Sequence, residues 1–152
     1  MKAADLMIGD WVLWRGTPLK IMSINDKTSR SLEPTVTGLI TIDGKETIRR
    51  FDAKSLKPIP LTTEILEKNE YKIGKPYSND IKYPCFVGIY PELKFQIALW
   101  EREKNGFWIE LVKFANLEDH KLDSIIKKHF HYIHELQHAL RLCGITEKRI
   151  KI

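Results

Sequence analysis

His134-Glu135-Leu136-Gln137-His138 reads HExxH. On a helix, side chains four residues apart share a face, so His134 and His138 would both reach one zinc ion. Glu135 would then act as general base on the zinc-bound water. The chemistry implied is that of a zinc-dependent metallohydrolase, with His134 and His138 as metal ligands and Glu135 as the catalytic residue.

The neighbouring residues oppose that chemistry. A catalytic zinc takes a third protein ligand, and downstream of His138 the candidate is Glu147. The extended form HExxHxxGxxH fails, because Arg141 stands where it needs glycine and Gly144 where it needs histidine. His120, His129 and His131 lie upstream, on the wrong side for the usual arrangement. Helix geometry argues the same way. Ile133, Leu136, Leu140 and Cys143 recur at helical spacing and make an apolar stripe. At about 100° per residue, His134 and His138 point roughly opposite that stripe and are expected to face water. The favoured expectation is an amphipathic helix with a polar face and no cofactor, with zinc as the alternative.

The elements that position this helix follow from the rest of the pattern. Asp10 to Trp14, Leu19 to Ile24, Thr35 to Ile42, Lys45 to Phe51 and Leu56 to Ile59 read as five short strands, with a single helical turn at Asp52 to Ser55. Asp43-Gly44 is a hairpin signal, because a type I′ turn needs positive φ at both central residues. Arg15-Gly16-Thr17-Pro18 marks another turn. Five strands in so short a stretch suggest a small barrel over 1–60. A second unit, 61–152, is expected to be α+β. Thr62 can cap a helix carrying Glu64 in its first turn, with Asn69 as its left-handed terminator. Residues 70 to 80 read as a surface loop. Tyr83 to Tyr90, Phe95 to Glu101 and Phe107 to Phe114 read as strands, the last two joined by Asn105-Gly106. Residues 115 to 129 are ambiguous between helix and strand. A helix is expected from about Phe130 to Leu142, ended by Gly144 and complemented by Arg141. Ile145 to Ile152 reads as a short edge strand.

Composition bounds the function classes. The 152 residues are 43% hydrophobic and 30% charged, which suits a folded core rather than a disordered chain. Cys85 and Cys143 are too far apart in sequence for a CxxC metal or redox pair, and both sit in apolar surroundings that suit buried, inert thiols. The start, MKAADLMIGDW, has no apolar core of a secretory leader, and no window suits a membrane helix. A cytoplasmic protein without membrane contact is therefore expected. Gly74-Lys75 is followed by Pro76, so no phosphate-binding loop is present, and no GxSxG elbow occurs.

Three stretches carry a family resemblance: Lys2 to Leu13 (KAADLMIGDWVL), Pro58-Ile59-Pro60-Leu61-Thr62 leading into Glu64-Ile65-Leu66, and Tyr132 to Gln137 (YIHELQ). They resemble a family of small uncharacterised bacterial proteins associated with prophages and mobile elements. That resemblance implies an SH3-like N-terminal module, a C-terminal helix with the pattern Y-[IV]-H-x-L-Q, and no assigned activity. The pattern requires neither a glutamate nor a second histidine. It implies a structural role for His134 and Gln137, such as bonding a buried backbone group.

SH3-like barrels bind nucleic acid or peptides through aromatic and basic surface residues. Trp11, Trp14, Arg15, Arg49 and Arg50, with Phe51, form the candidate binding surface. Strand alternation sends Trp11 and Trp14 to opposite faces, so one of them is expected to be exposed. Net charge is +5, too small by itself to imply nucleic acid. The stretch Lys121 to His131, with Lys127, Lys128, His129 and His131, and the basic end Lys148, Arg149 and Lys151, read as solvated faces. The expected protein is thus a non-enzymatic accessory or interaction protein of phage or mobile-element type, whose partner is nucleic acid or protein.

Overall fold

Strand-forming residues and tight turns alternate through the first sixty positions, and the chain folds accordingly. The computed structural model describes residues 1–25, 33–74, 85–90, 95–101, 106–114, 122–145 and 150–152. The chain forms two compact units, Met1–Pro60 and Leu61–Ile152. Both are dominated by antiparallel sheet, and one main helix makes the protein α+β.

The first unit contains β1 (Trp11–Trp14), β2 (Thr17–Asn25), β3 (Thr35–Ile42), β4 (Lys45–Asp52) and β5 (Leu56–Pro58), in the order β4-β3-β2-β1-β5. Two type I′ turns set the hairpins. Arg15 and Gly16 have φ of 51° and 86°, and Asp43 and Gly44 have φ of 49° and 76°. Both turns carry the twist that antiparallel neighbours need. A short 3-10 turn, Ala53–Ser55, precedes β5. The strands β4 and β5 occupy opposite edges of the sheet. Among the described residues the sheet is open, so closure of the closed or nearly closed small barrel expected from the strand count is not shown; it would need a further pairing between those edges.

Alternation along the strands separates two faces. Register places Pro58, Val12, Leu19, Ile40 and Thr47 in one row and Trp11, Lys20, Leu39 and Ile48 in a row of the other face. The first face carries the core: Val12, Leu19, Ile21, Ile40, Phe51 and Leu56 are buried, together with Leu6, Val36 and Ala53. Gly38 belongs here because a Cβ at that position would fall on the Leu19 side chain and lie 3.2 Å from the Lys20 carbonyl oxygen. Asp10 is buried at the start of β1, where its carboxylate accepts a hydrogen bond from the Met7 N–H at 2.7 Å.

In the second unit, α1 (Thr63–Lys68) is followed by β6 (Lys72–Gly74), β7 (Cys85–Tyr90), β8 (Phe95–Glu101), β9 (Phe107–Phe114), β10 (Leu122–Phe130) and α2 (Ile133–Leu142). The sheet is an antiparallel meander, β10-β9-β8-β7-β6. Thr62 caps α1 by accepting from the Ile65 N–H at 3.4 Å. The Thr62 hydroxyl, with Glu64's own backbone N–H, holds the Glu64 carboxyl below its ordinary range. That interaction supports α1 above the ordinary carboxylate range and is lost as pH falls through the lowered value.

Three expectations need correction here. Lys72–Gly74 is a strand paired with β7, within the stretch read as a loop. The described part of the ambiguous segment is strand, and β10 runs on to Phe130, so α2 begins three residues later than expected. Pairing with β9 from Leu122 to Phe130, with a bulge between Ser124 and Ile126, decides that segment against helix. Asn69 is not left-handed: its φ is −98°, and Glu70 takes the positive φ of 67°. The rest of the loop at 75–80, the strand start at Tyr83, Asn105, Lys121 and half of the final strand expectation (146–149) lie outside the described residues, and the described half, 145 and 150–152, is not in a strand.

Asn69 has a different task. It is buried, its Nδ2 donates to the carbonyls of Ile65 and Lys151 at 2.8 Å each, and its Oδ1 accepts from the Lys151 N–H at 2.7 Å. One amide thus holds both backbone groups of Lys151 and ties the end of the chain to α1. Lys68 also donates to the Ile152 carbonyl. Asn69→Ala is expected to destabilise this unit by about 2 kcal/mol, because the remaining backbone groups are left without that amide. Asn69→Asp should be at least as damaging, since it turns a donor toward two carbonyls into an acceptor. Urea denaturation followed by circular dichroism measures both.

Candidate functional site

The join between β10 and α2 collects the residues of the HExxH sequence with two further histidines. A helix start leaves backbone N–H groups without intrahelical acceptors. Here the Glu135 side chain turns back over that start. Its Oε2 accepts from the N–H of His131 at 2.7 Å and from the N–H of Tyr132 at 3.0 Å. Glu135 occupies the third helical position after the cap residue Tyr132, which is where a capping-box carboxylate belongs. It also places a negative charge in the first turn of α2. The glutamate that sequence reasoning offered as a general base is therefore engaged in a helix cap.

The two motif histidines are not alike. His134 is buried, with 6% of its surface exposed, and His138 is half-buried. The expectation that both imidazoles face water is overturned. The buried arc of α2 is wider than the aliphatic stripe: Ile133, His134, Leu136, Gln137, Ala139 and Leu140 are all buried. At about 100° per residue these positions span roughly 220° of the helix, so His134 and Gln137 fall inside the covered arc. Leu142, an apolar residue, is on the open side and is 77% exposed. Gly144, with φ of 77°, ends the helix as its type suggests.

Ring contacts link five side chains through this join. His129 and His131 meet edge-on, with ring centres 4.5 Å apart. His131 lies 6.0 Å from Tyr132, and Tyr132 stacks with His134 at 5.8 Å and an interplanar angle of 9°. His134 then meets His138 edge-on at 5.7 Å. Lys128 lies over the ring of Phe130 at 6.0 Å. The result is a ladder of rings running from the end of β10 along α2.

For zinc hydrolysis this donor set fits poorly. Among the described residues, no group of three or more histidine, cysteine, aspartate or glutamate side chains is placed to hold a metal ion. The base the reaction would need spends one carboxylate oxygen on two backbone donors. Glu147, the downstream ligand candidate, and His120 lie outside the described residues.

The residues proposed as a binding surface separate. Trp11 and Arg50 belong to one face of the first unit's sheet, and Trp14 and Arg49 to the other, as the register requires. Neither tryptophan is exposed; both are half-buried. Arg15, at the first type I′ turn, places its guanidinium 5.0 Å from the Trp14 ring centre, a cation–π distance. Trp14 in turn lies 5.3 Å from Phe51. Trp14, Arg15 and Phe51 are thus linked by ring contacts, Arg49 shares the face of Trp14 and Phe51, and Trp11 and Arg50 lie on the other face. Strand parity was the available signal for this split.

Cys143 is buried, and burial pushes its thiol above the ordinary cysteine range. Nothing is described of the Cys85 side chain. Among the described residues, no helix is long and apolar enough to cross a membrane. No protein-family model, curated protein or solved structure matches the chain.

Two outcomes are expected. Glu135→Ala should cost about 1 kcal/mol in thermal denaturation, while Glu135→Gln, whose amide oxygen can accept the same bonds, should retain most of the stability. In a Cys85→Ser background, Cys143 should react with Ellman's reagent at pH 8 several-fold more slowly in native protein than in urea, because its thiolate is disfavoured by burial.

Proposed function

We propose that this chain is a non-enzymatic interaction protein of phage or mobile-element type. Its first unit, read as an SH3-like module, contacts nucleic acid or a protein partner through Trp14 and the exposed Arg15 at its first type I′ turn, with the exposed Arg49. The observation that supports the non-enzymatic reading is the Glu135 carboxylate, committed to the His131 and Tyr132 N–H groups at 2.7 Å and 3.0 Å. A general base must be within reach of the water it deprotonates, and this side chain is directed at the backbone of its own helix start.

The SH3-like reading draws support from the strand order β4-β3-β2-β1-β5, the type I′ hairpin at Asp43-Gly44 and the 3-10 turn before β5. The contact surface draws support from Arg15 at cation–π distance from Trp14, with Phe51 next to Trp14 and Arg49 on the same face of β4 as Phe51. An arginine at cation–π distance from an indole still has N–H groups for phosphate or carboxylate. The phage or mobile-element association rests on the resemblance carried by Lys2 to Leu13, Pro58 to Leu66 and Tyr132 to Gln137.

Fluorescence anisotropy with a labelled single-stranded oligonucleotide, at low and physiological salt, tests the nucleic-acid form. Binding should weaken steeply with salt, and Arg15→Ala and Arg49→Ala should each weaken it and lower the salt slope by about one. Arg50→Ala, on the opposite face, should change it less. Salt-independent behaviour or an equal effect of all three variants would remove nucleic acid as the partner at this surface.

A further inference from the structure

We propose that His129 and His131 form a two-imidazole chelate for a late first-row divalent ion, of the class Zn2+, Ni2+ or Cu2+, separate from the HExxH pair. His129 Nδ1 and His131 Nε2 are 3.1 Å apart. Imidazole nitrogens bind such ions at about 2.0–2.1 Å, so two of them on neighbouring coordination positions lie roughly 2.9–3.4 Å from each other. The observed separation falls in that interval. In the metal-free protein the same distance is bridged by one proton; on ion binding the ring that carries it takes its other neutral tautomer, so that both facing nitrogens offer a lone pair to the ion.

The pair is held in place from three directions. The His131 N–H is bonded to Glu135 Oε2 at 2.7 Å, and the His131 carbonyl accepts from the Leu61 N–H at 2.9 Å. His129 is in the regular ladder of β10, opposite Trp108 of β9. Gly106 backs both rings closely: a Cβ there would lie 2.6 Å from His129 Cε1 and 2.8 Å from His131 Nδ1. The backbones of both residues are thereby held, which is part of the preorganisation a chelate requires. His131 is exposed and His129 half-buried, so an ion reaches the pair from solvent and water completes its shell. Two neutral nitrogen donors favour Cu2+ over Ni2+ and Zn2+ in affinity.

The test uses the full chain after removal of metals with EDTA, titrated calorimetrically with NiCl2 and separately with ZnCl2 at pH 7.5. One equivalent is expected to bind. His129→Ala and His131→Ala should each weaken binding at least about tenfold, and His138→Ala should bind as the unaltered chain does. Gly106→Ala keeps both imidazoles but brings a Cβ within 2.6 Å of His129 Cε1, 2.8 Å of His131 Nδ1 and 2.9 Å of the Phe130 carbonyl oxygen, so the rings must shift and binding should weaken. Failure of the unaltered chain to bind one equivalent, equal binding by the His129→Ala and His131→Ala variants, or loss of binding on His138→Ala would each overturn the proposal.

Discussion

At the corner where β10 gives way to α2, two successive backbone N–H groups leave regular structure together. Those of His131 and Tyr132 need an acceptor, and the Glu135 carboxylate supplies one oxygen to both. This contact fixes where the strand stops, how the helix starts and where the flanking rings stand. An acid in the first turn serves the helix twice, through hydrogen bonds and through the macrodipole. It also accounts for a glutamate beside a histidine without any appeal to catalysis.

The ring ladder is a consequence of that corner. With the His131 and Tyr132 backbones held, His131 turns toward His129, and Tyr132 lies parallel to His134. Glycine at position 106 permits the close approach that any Cβ would block. The histidines at the strand end thereby acquire a nitrogen–nitrogen separation of chelating size, while those on the helix are divided between a buried ring and a half-buried one. Counting histidines in the sequence treats these residues as equivalents; the backbone makes them different chemical groups.

In the first unit the governing constraint is strand parity. Trp11 and Trp14 are close in sequence, yet the sheet lies between them. Arg49 and Arg50 are adjacent and are likewise divided. A basic and aromatic cluster that looks single in sequence becomes two, and only the one containing Trp14, Arg15 and Phe51 is tied together by ring contacts. The left-handed Arg15 at its type I′ turn aims that side chain back over the strand it has just left.

Local chemistry was legible in the amino-acid order. The Asp43-Gly44 hairpin, the Arg15-Gly16 turn, the Thr62 cap and the Gly144 stop depend on φ preferences and short-range hydrogen bonds, which neighbouring residues determine. The five strands of the first unit and their spacing were readable for the same reason. Burial of His134 and Gln137 was not, because it depends on how much of α2's circumference is covered, and an aliphatic stripe reports only the middle of that arc. The strand at Leu122–Phe130 was equally hidden: its sequence suits helix or strand, and a partner strand resolved the choice. The role of Glu135 belongs to both levels, since its spacing from Tyr132 was present in the chain but two uses of that spacing competed. Only the tertiary structure decided between them, because a carboxylate goes to the nearest donors that have no other acceptor.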